Sequence, residues 1–392
     1  MRILILHNRY QFSGGEEHSV VVDGELLAAH GHETMQYSRG YEEIARRGAL
    51  SRPSVALNAL WSRSSYRNVR EAIRRWRPDI AHFHNIFPLI SPSAYWACHA
   101  EGVPVVQTLH NYRLVCPEGT LLRDGKPCEL CVGHVPWPAV RYACYRRSHL
   151  QSLAMASSIG GHAALGTWQH QVDAYIALTK FARDMFIRGG LPEDRIFIRV
   201  NAVAGIEPVE YPGPGSAIYV GRLSPEKGIS TLLAAWEQIP NVPLTIVGGG
   251  PLLPEVRAAA ARPELRHVDV AGELPHAEVL ERLGRAGMLI FPSIWYEGLP
   301  YTVLEALAAG RPVVASDIGA QAEIIAEGVN GLHFATGDPE GLAAAVRRLH
   351  ASPDLADRLA EGARRVFDER YAPERSYAQL MDVYARTSER GR

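Results

Sequence analysis

A chain of 392 residues is too long for one ordinary domain, so two domains are expected. Its 47% hydrophobic and 21% charged residues describe a soluble globular protein and exclude a disordered or fibrous one. The net charge of -1 hides a split: residues 1–205 hold 23 Lys and Arg against 17 Asp and Glu (+6), and the rest hold 18 against 25 (-7).

The chain opens on Met-Arg-Ile-Leu-Ile-Leu-His, too short an apolar run for a signal peptide, and Ile3–Leu6 reads as a strand. No run of 18 apolar residues occurs, so nothing is expected to span a membrane, and a cytoplasmic protein is expected. Helical spacing follows over Glu17–His30, closed by Gly31. Residues 41–77 carry nine arginines (Arg46, Arg47, Arg52, Arg63, Arg67, Arg70, Arg74, Arg75, Arg77) against Glu42, Glu43 and Glu71. An anionic acceptor, or peripheral contact with an anionic lipid surface at the inner face of the membrane, would suit that region; a solvated helix face is the plainer alternative. Tyr66–Arg77 reads as a helix, and Asp79–His84, Val103–Leu109 and Ala174–Leu178 as strands. His82 and His84 share one strand face and read as lining for a cleft.

A Gly/Pro-rich break at Glu207–Gly215 reads as a linker. The strand series then restarts at Ala217–Val220, Leu244–Val247, Val268–Ala271, Met288–Phe291 and Pro312–Ala315. Strand–helix alternation predicts parallel βαβ units. The expected architecture is α/β: two Rossmann-like doubly wound domains facing across a cleft, residues 1–205 and 206–371. A last helix over 372–392 packs back on the first domain. In such sheets the loops beyond the carboxyl ends of strands carry the chemistry.

Several loops offer it. Glu297 sits in a Gly/Pro turn, and Glu305 lies one and a half turns into the helix that follows. Carboxylates bind sugar hydroxyls, and a helix N-terminus binds anions. Taken alone, the spacing also fits a helix with one buried and one solvated Glu. Gly221-Arg222-Leu-Ser-Pro-Glu-Lys227-Gly228 follows a strand and offers a guanidinium fork and a point charge to phosphate oxygens. Lys227 is one of three lysines in the chain, with Lys126 and Lys180. Gly14-Gly15 after the first strand allows close backbone approach to a ligand, or marks an ordinary turn. Glu16 starts the next helix. Gly248-Gly249-Gly250-Pro251 and Gly272-Glu273-Leu274 read as tight turns. Cys116, Cys128, Cys131 and Cys144 form C-x11-C-x2-C-x12-C, whose centre is a common zinc half-site. A structural zinc in an insert near 116–144, free thiols and disulfides all remain open, the last disfavoured in a reducing compartment.

These motifs in this order resemble glycosyltransferase family 4, the retaining enzymes of GT-B architecture. The likeness rests on Gly14-Gly15-Glu16, Thr108-Leu109-His110-Asn111, Gly221 to Gly228, Val247 to Pro251, and Glu297 to Val314. It implies transfer of a hexosyl unit from a UDP- or GDP-sugar in glycan biosynthesis, with no cofactor required for the chemistry. It implies that Arg222 and Lys227 contact the diphosphate, that Glu305 holds the ribose and that Glu297 lies near the donor sugar. Gly298, Leu299, Pro300 and Tyr301 would offer main-chain N–H groups to sugar and phosphate. Gly249, Glu273 and Leu274 would face the base, and Gly14 and Gly15 the donor phosphates. His110 matches the family's active-site histidine, beside donor sugar and acceptor. The catalytic set implied is His110, Glu297, Arg222 and Lys227. The acceptor is a glycan, a glycolipid or a small-molecule glycoside. Front-face return and a covalent intermediate on Glu297 both stay open, as do a GT-B-fold sugar-nucleotide epimerase and a non-catalytic sugar-nucleotide-binding protein. No aromatic–basic motif suggests nucleic acid.

Overall fold

The structure is a computed structural model and describes residues 1–9, 14–40, 42–43, 58–203, 206 and 209–390. Arg46, Arg47 and Arg52, with part of the linker, lie outside the described residues. The chain divides into two compact units. Unit 1 holds Met1–Leu121, Glu129–Ala202 and Pro373–Arg392; unit 2 holds Leu122–Cys128 and Val203–Ala372.

In chain order, unit 1 begins with β1 (Arg2–Arg9), α1 (Gly15–Ala29), β2 (Glu33–Gly40), α2 (Arg63–Trp76), β3 (Ile80–Asn85), α3 (Ser93–Ala100) and β4 (Val105–Leu109). A short antiparallel pair, β5 (Leu122–Arg123) and β6 (Lys126–Pro127), is counted with unit 2. Unit 1 continues with α4 (Trp137–Arg141), α5 (His149–Ala164), α6 (Thr167–His170), β7 (Ala174–Ala177), α7 (Lys180–Arg188) and β8 (Ile196–Ile198). Its sheet runs in the order β2-β1-β3-β4-β7-β8, every neighbour parallel.

Unit 2 holds β9 (Ala217–Val220), α8 (Ile229–Trp236), β10 (Leu244–Val247), α9 (Leu253–Ala260), β11 (Val268–Gly272), α10 (His276–Arg285) and β12 (Met288–Phe291). It goes on with α11 (Tyr301–Ala308), β13 (Val313–Ser316), α12 (Gly319–Ile324), β14 (Gly331–Phe334), α13 (Pro339–His350) and α14 (Pro353–Arg370). The chain then returns to unit 1 as α15 (Pro373–Arg390). The sheet order of unit 2 is β11-β10-β9-β12-β13-β14, again all parallel. That is the 3-2-1-4-5-6 order of a dinucleotide-type Rossmann sheet.

The inner strands β3, β4, β7, β12 and β13 are buried along their whole length, as parallel strands covered on two faces are, while the edge strand β2 is polar and partly exposed. Ile3, Ile5, Ile80, Val106 and Ile176 form one core layer of unit 1, capped by Val20 and Leu27 of α1 and Leu380, Val383 and Tyr384 of α15. The last helix is latched by polar bonds too. Ser376 Oγ donates to Val200 O (2.7 Å), and Val200 N–H donates to Gln379 Oε1 (3.1 Å). Helix α2 starts where Ser62 caps Ser65 N–H (3.3 Å) and buries Ser65, Val69 and Ile73 on one stripe. Unit 2 packs around Trp236, whose Nε1 donates to Val242 O (2.9 Å). The segment leading into its sheet is pinned by buried Arg311, which donates to the carbonyls of Val209 (2.9 Å) and Glu210 (3.0 Å) and lies over the Tyr211 ring.

Candidate active site

In unit 2 the chain order reverses between the neighbouring strands β9 and β12. The space beyond their carboxyl ends is therefore open, and that is where doubly wound sheets hold ligands. The two loops there carry Gly221–Gly228 and Pro292–Pro300. They are stitched directly, Ile294 N–H donating to Glu226 O (3.0 Å). Gly228 has φ +71°, and a Cβ on it would fall 1.9 Å from Pro292 O, so only glycine lets the loops touch. The loop after β10 is sewn to the first by Leu223 N–H on Gly249 O (2.7 Å). A Cβ on Gly248 (φ +140°) would meet Gly221 O at 1.9 Å. Close packing between loops thus accounts for the glycine run. One on Gly249 would strike the Glu273 carboxylate (2.1 Å), which places exposed Glu273 and half-buried Leu274 beside that turn.

Two carboxylates stand inside this frame. Glu297 is 6% exposed and Glu305 is 4% exposed, so neither is the solvated residue of the plainer reading. Glu297 Oε1 accepts from Lys227 Nζ (2.6 Å) and from Ser293 Oγ (2.7 Å). Lys227 also lies over the Trp295 ring, 5.3 Å from its centroid. Glu305 Oε1 is bonded to His276 Nε2 (2.8 Å), and that bond raises the His276 pKa above its ordinary value. Arg222 is exposed and has no ion-pair partner among the described residues; its carbonyl is fixed by the Tyr219 hydroxyl (3.0 Å). Leu299 is buried, while Gly298, Pro300 and Tyr301 are half-buried and lead into α11, with Pro300 as its N-cap. Gly310 follows the last turn of that helix, its N–H on Leu307 O (3.0 Å).

In unit 1, Gly14 caps α1. Its N–H donates to Glu17 Oε2 (3.0 Å), and both Gly14 and Gly15 are exposed. Glu16, in the first turn, accepts from Asn111 Nδ2 (2.5 Å) and ties α1 to the loop after β4. His110 follows β4, half-buried, its Nε2 bonded to His84 Nδ1 (2.9 Å). A small pocket there is lined by His84, Asn85, His110, Asn111 and Arg113, among others.

His82 and His84 are both buried, and of the two His84 reaches the wall of that pocket. His82 spends Nδ1 on the Tyr384 hydroxyl (2.8 Å) and Nε2 on Thr108 Oγ1 (2.7 Å). Burial holds His82 down to about 3 and His84 and His110 well below the usual imidazole range, so all three are neutral. Asp23 lies behind them, gripped by Arg199 through both oxygens (2.5 and 2.7 Å). Burial alone would raise its pKa; the guanidinium wins and holds it at about 2.

Asp23, His82 and His84 bring three ligand atoms within 4.8 Å, the only such set among the described residues. It does not suit a cation, because Arg199 already neutralises the carboxylate and both nitrogens of His82 are engaged. Cys116, Cys128, Cys131 and Cys144 form no such set, so this geometry does not fit a four-thiolate zinc.

Sequence reasoning did not reach Ser293, Trp295 or His276, the partners of the lysine and the two glutamates. Nor did it reach the Asp23–Arg199 pair, whose members lie 176 residues apart. Ser293 and Trp295 flank the Glu297 turn and were findable by proximity; the Asp23–Arg199 pair leaves no local signal.

The chain matches the profile "Glycosyltransferase Family 4" over residues 13–204 and "Glycosyl transferases group 1" over 207–366. It is 30% identical over 311 residues to a glycogen synthase of Mycobacterium tuberculosis, covering 74% of this chain and 64% of that one. It is 29% identical over 271 residues to the alpha-maltose-1-phosphate synthase of Mycolicibacterium smegmatis (59% and 69%). Among solved structures it resembles sucrose-phosphate synthase of Thermosynechococcus elongatus (TM-score 0.71, 18% identity, 98% of each chain). It also resembles Anabaena HepE in complex with UDP and glucose (TM-score 0.66, 17% identity, 98% and 99%). The chain belongs to glycosyltransferase family 4 and has the two-Rossmann GT-B fold. Its match spans 64% of the length of the glycogen synthases.

Proposed function

We propose that the protein is a retaining glycosyltransferase that moves a hexosyl unit from a nucleoside-diphosphate sugar to a sugar-containing or anionic acceptor. The observation that carries this is the Lys227–Glu297 contact (2.6 Å), set at the reversal point of the unit 2 sheet with exposed Arg222 on the same loop. Breaking a sugar–diphosphate bond builds negative charge on the leaving phosphate. A lysine already fixed by Glu297 and Trp295 needs little reorganisation to meet that charge. Arg222 adds a planar fork for the same oxygens. When phosphate takes the lysine, Glu297 Oε1 keeps the Ser293 bond and can accept a sugar hydroxyl in the lysine's place. Glu305, buried and oriented by His276, is assigned the ribose hydroxyls. UDP-glucose heads the donor candidates, since HepE was solved in complex with it. The bound phosphate oxygens, not a side chain, take the acceptor proton in this reading, and Glu297 acts as an oriented hydrogen-bond acceptor.

His110 is assigned to a hydroxyl of the reacting sugars. His84 Nε2 lies 3.9 Å from the Asp23 carboxylate, which favours the His84 proton on that nitrogen. His84 Nδ1 then accepts from His110 Nε2–H, and His110 presents Nδ1 as an acceptor.

A donor panel tests the proposal. Incubation with UDP- and GDP-hexoses should give slow release of the nucleoside diphosphate from one of them, with the sugar unchanged in configuration. An altered sugar on an intact nucleotide would mean an epimerase. Binding without turnover, across acceptors as well, would mean a sensor.

A further inference from the structure

The longest acid-free stretch of the chain lies in unit 1. From Leu130 to Val172 there is no Asp or Glu, while Arg141, Arg146 and Arg147 add positive charge. Helix α5 lies within it and carries no Asp, Glu, Lys or Arg. A surface helix normally shows a charged face to water. Here the exposed positions are His149, Leu150, Leu153, Ser157, Gly161, Ala163 and Ala164, with one histidine at the first position and no Asp, Glu, Lys or Arg, opposite the buried Ser152, Met155, Ala156, Ser158, Ile159 and His162. Leu150 is 77% exposed. The preceding segment adds Val135 (76% exposed) and Trp137 (63% exposed), and α4 packs along α5, with Pro136 against Gly160. Exposed apolar side chains grouped this way mark a surface that meets something other than water.

We propose that this α4–α5 face rests on an anionic lipid surface. The apolar part supplies an aromatic and two leucines for the headgroup boundary, where Trp and Tyr partition. The flanking cations supply the charge complement. Arg141 stands over the Tyr142 ring (5.6 Å) and Arg146 over the Tyr145 ring (5.4 Å), each a cation on an aromatic stem. A second copy of the chain is a poor occupant, since it would bring six arginines together, and the acid beside Arg146, Glu118, is half-buried and already engaged with Arg113 and Arg146. Spanning is excluded by length: α5 has 16 residues, roughly 24 Å of helix, and no helix among the described residues is long and apolar enough to cross a membrane.

The face differs from the arginine-rich α2. There Arg70 and Arg74 are held by Glu101 (2.6 and 2.9 Å), and the exposed face carries Arg63, Arg67, Glu71, Arg74 and Arg75 with no apolar side chain. Charge alone would attract α2 to a surface but would not seat it. The proposal does not depend on the enzymatic reading.

Co-sedimentation of the full chain with vesicles tests it. Wild type should pellet with vesicles containing phosphatidylglycerol and stay in solution with phosphatidylcholine alone. The triple variant Trp137→Ser, Leu150→Ser, Leu153→Ser should lose binding at least tenfold, and Arg141→Gln, Arg146→Gln and Arg147→Gln should each lose about fivefold. The α2 variant Arg67→Gln, Arg75→Gln should bind within about twofold of wild type. All substituted side chains are exposed, so circular dichroism should be unchanged. No pelleting of wild type with anionic vesicles, or equal pelleting of the serine variant, would overturn the proposal. So would a wild-type dimer that the serine variant turns into a monomer.

Discussion

At the scale of single residues, the lysine contact of unit 2 is an arrangement waiting for a competitor. Lys227 Nζ sits 2.6 Å from a carboxylate that is itself nearly inaccessible to solvent. In the proposed reaction, removing the lysine takes a cation from the leaving phosphate and one of the two donors from Glu297 Oε1. Lys227→Ala should lower kcat by roughly 100- to 1000-fold, the cost of losing one preorganised electrostatic partner, with the thermal transition still cooperative. Turnover within a few-fold of wild type would remove Lys227 from the phosphate site. Glu305→Gln should raise KM for the nucleotide sugar more than it lowers kcat, because a ribose contact is equal in ground and transition states; an unchanged KM would count against that role. Glu297 and Lys227 were legible in the sequence because they sit in Gly/Pro-punctuated loops at strand ends, and Glu305 because it lies in the helix that follows one of them. The plainer alternative of one solvated Glu failed on burial, which spacing does not report. The histidines of β3 divide. Two residues apart they share a face, but the sequence does not say that Thr108 and Tyr384 close over His82 while His84 meets His110 at the pocket.

At the scale of elements, the strands read most plainly. Ala217–Val220, Leu244–Val247 and Met288–Phe291 are bounded in the structure as their apolar runs predict. Strands such as Ile196–Ile198 and Glu33–Gly40 were not, being short or polar. Helix α15 shows what an element contributes beyond its own periodicity. Leu380, Val383 and Tyr384 enter the unit 1 core, each side chain worth roughly 1.5–3 kcal/mol of burial. Deletion of residues 373–392 should therefore leave unit 1 unable to unfold cooperatively, while unit 2 keeps a transition of its own. A truncated protein with two intact transitions by calorimetry would disprove this. Arg199→Met strands a buried Asp23 carboxylate and should cost about 3–5 kcal/mol. Pairing it with Asp23→Leu should recover much of that loss, a recovery that a purely steric defect would not show.

At the scale of the whole molecule, the two units share one design and differ in charge. The buried histidines make unit 1 the acid-sensitive half. His82, His84 and His110 are held neutral by burial, with folded pKa values below the unfolded 6.5. Below pH 6.5 the unfolded chain binds protons that the folded chain refuses, so stability is full above that value and falls as pH drops. The slope approaches about 1.4 kcal/mol per pH unit for each histidine. Asp23, held at about 2, adds a loss in the same direction below the unfolded value of 3.8. The unit 1 melting temperature should be flat from pH 8 to 7 and drop steeply toward pH 5; a flat profile down to pH 5 would contradict neutral, buried imidazoles. The parallel βαβ build of unit 2 followed from strand–helix alternation; its strand order and reversal point came from the structure. The grouping of Leu122–Cys128 with unit 2 did not, because nothing local marks it.

The route of the polypeptide also sets a timetable for synthesis. Tyr384 bonds to His82 across 302 positions, and Ser376 to Val200 across 176. A ribosome that has finished the first sheet must translate all of the second before those closing groups emerge from its tunnel. The nascent amino-terminal half thus waits, with part of its interior open to water, while its neighbour can already collapse. That interval is when a chaperone has most to bind.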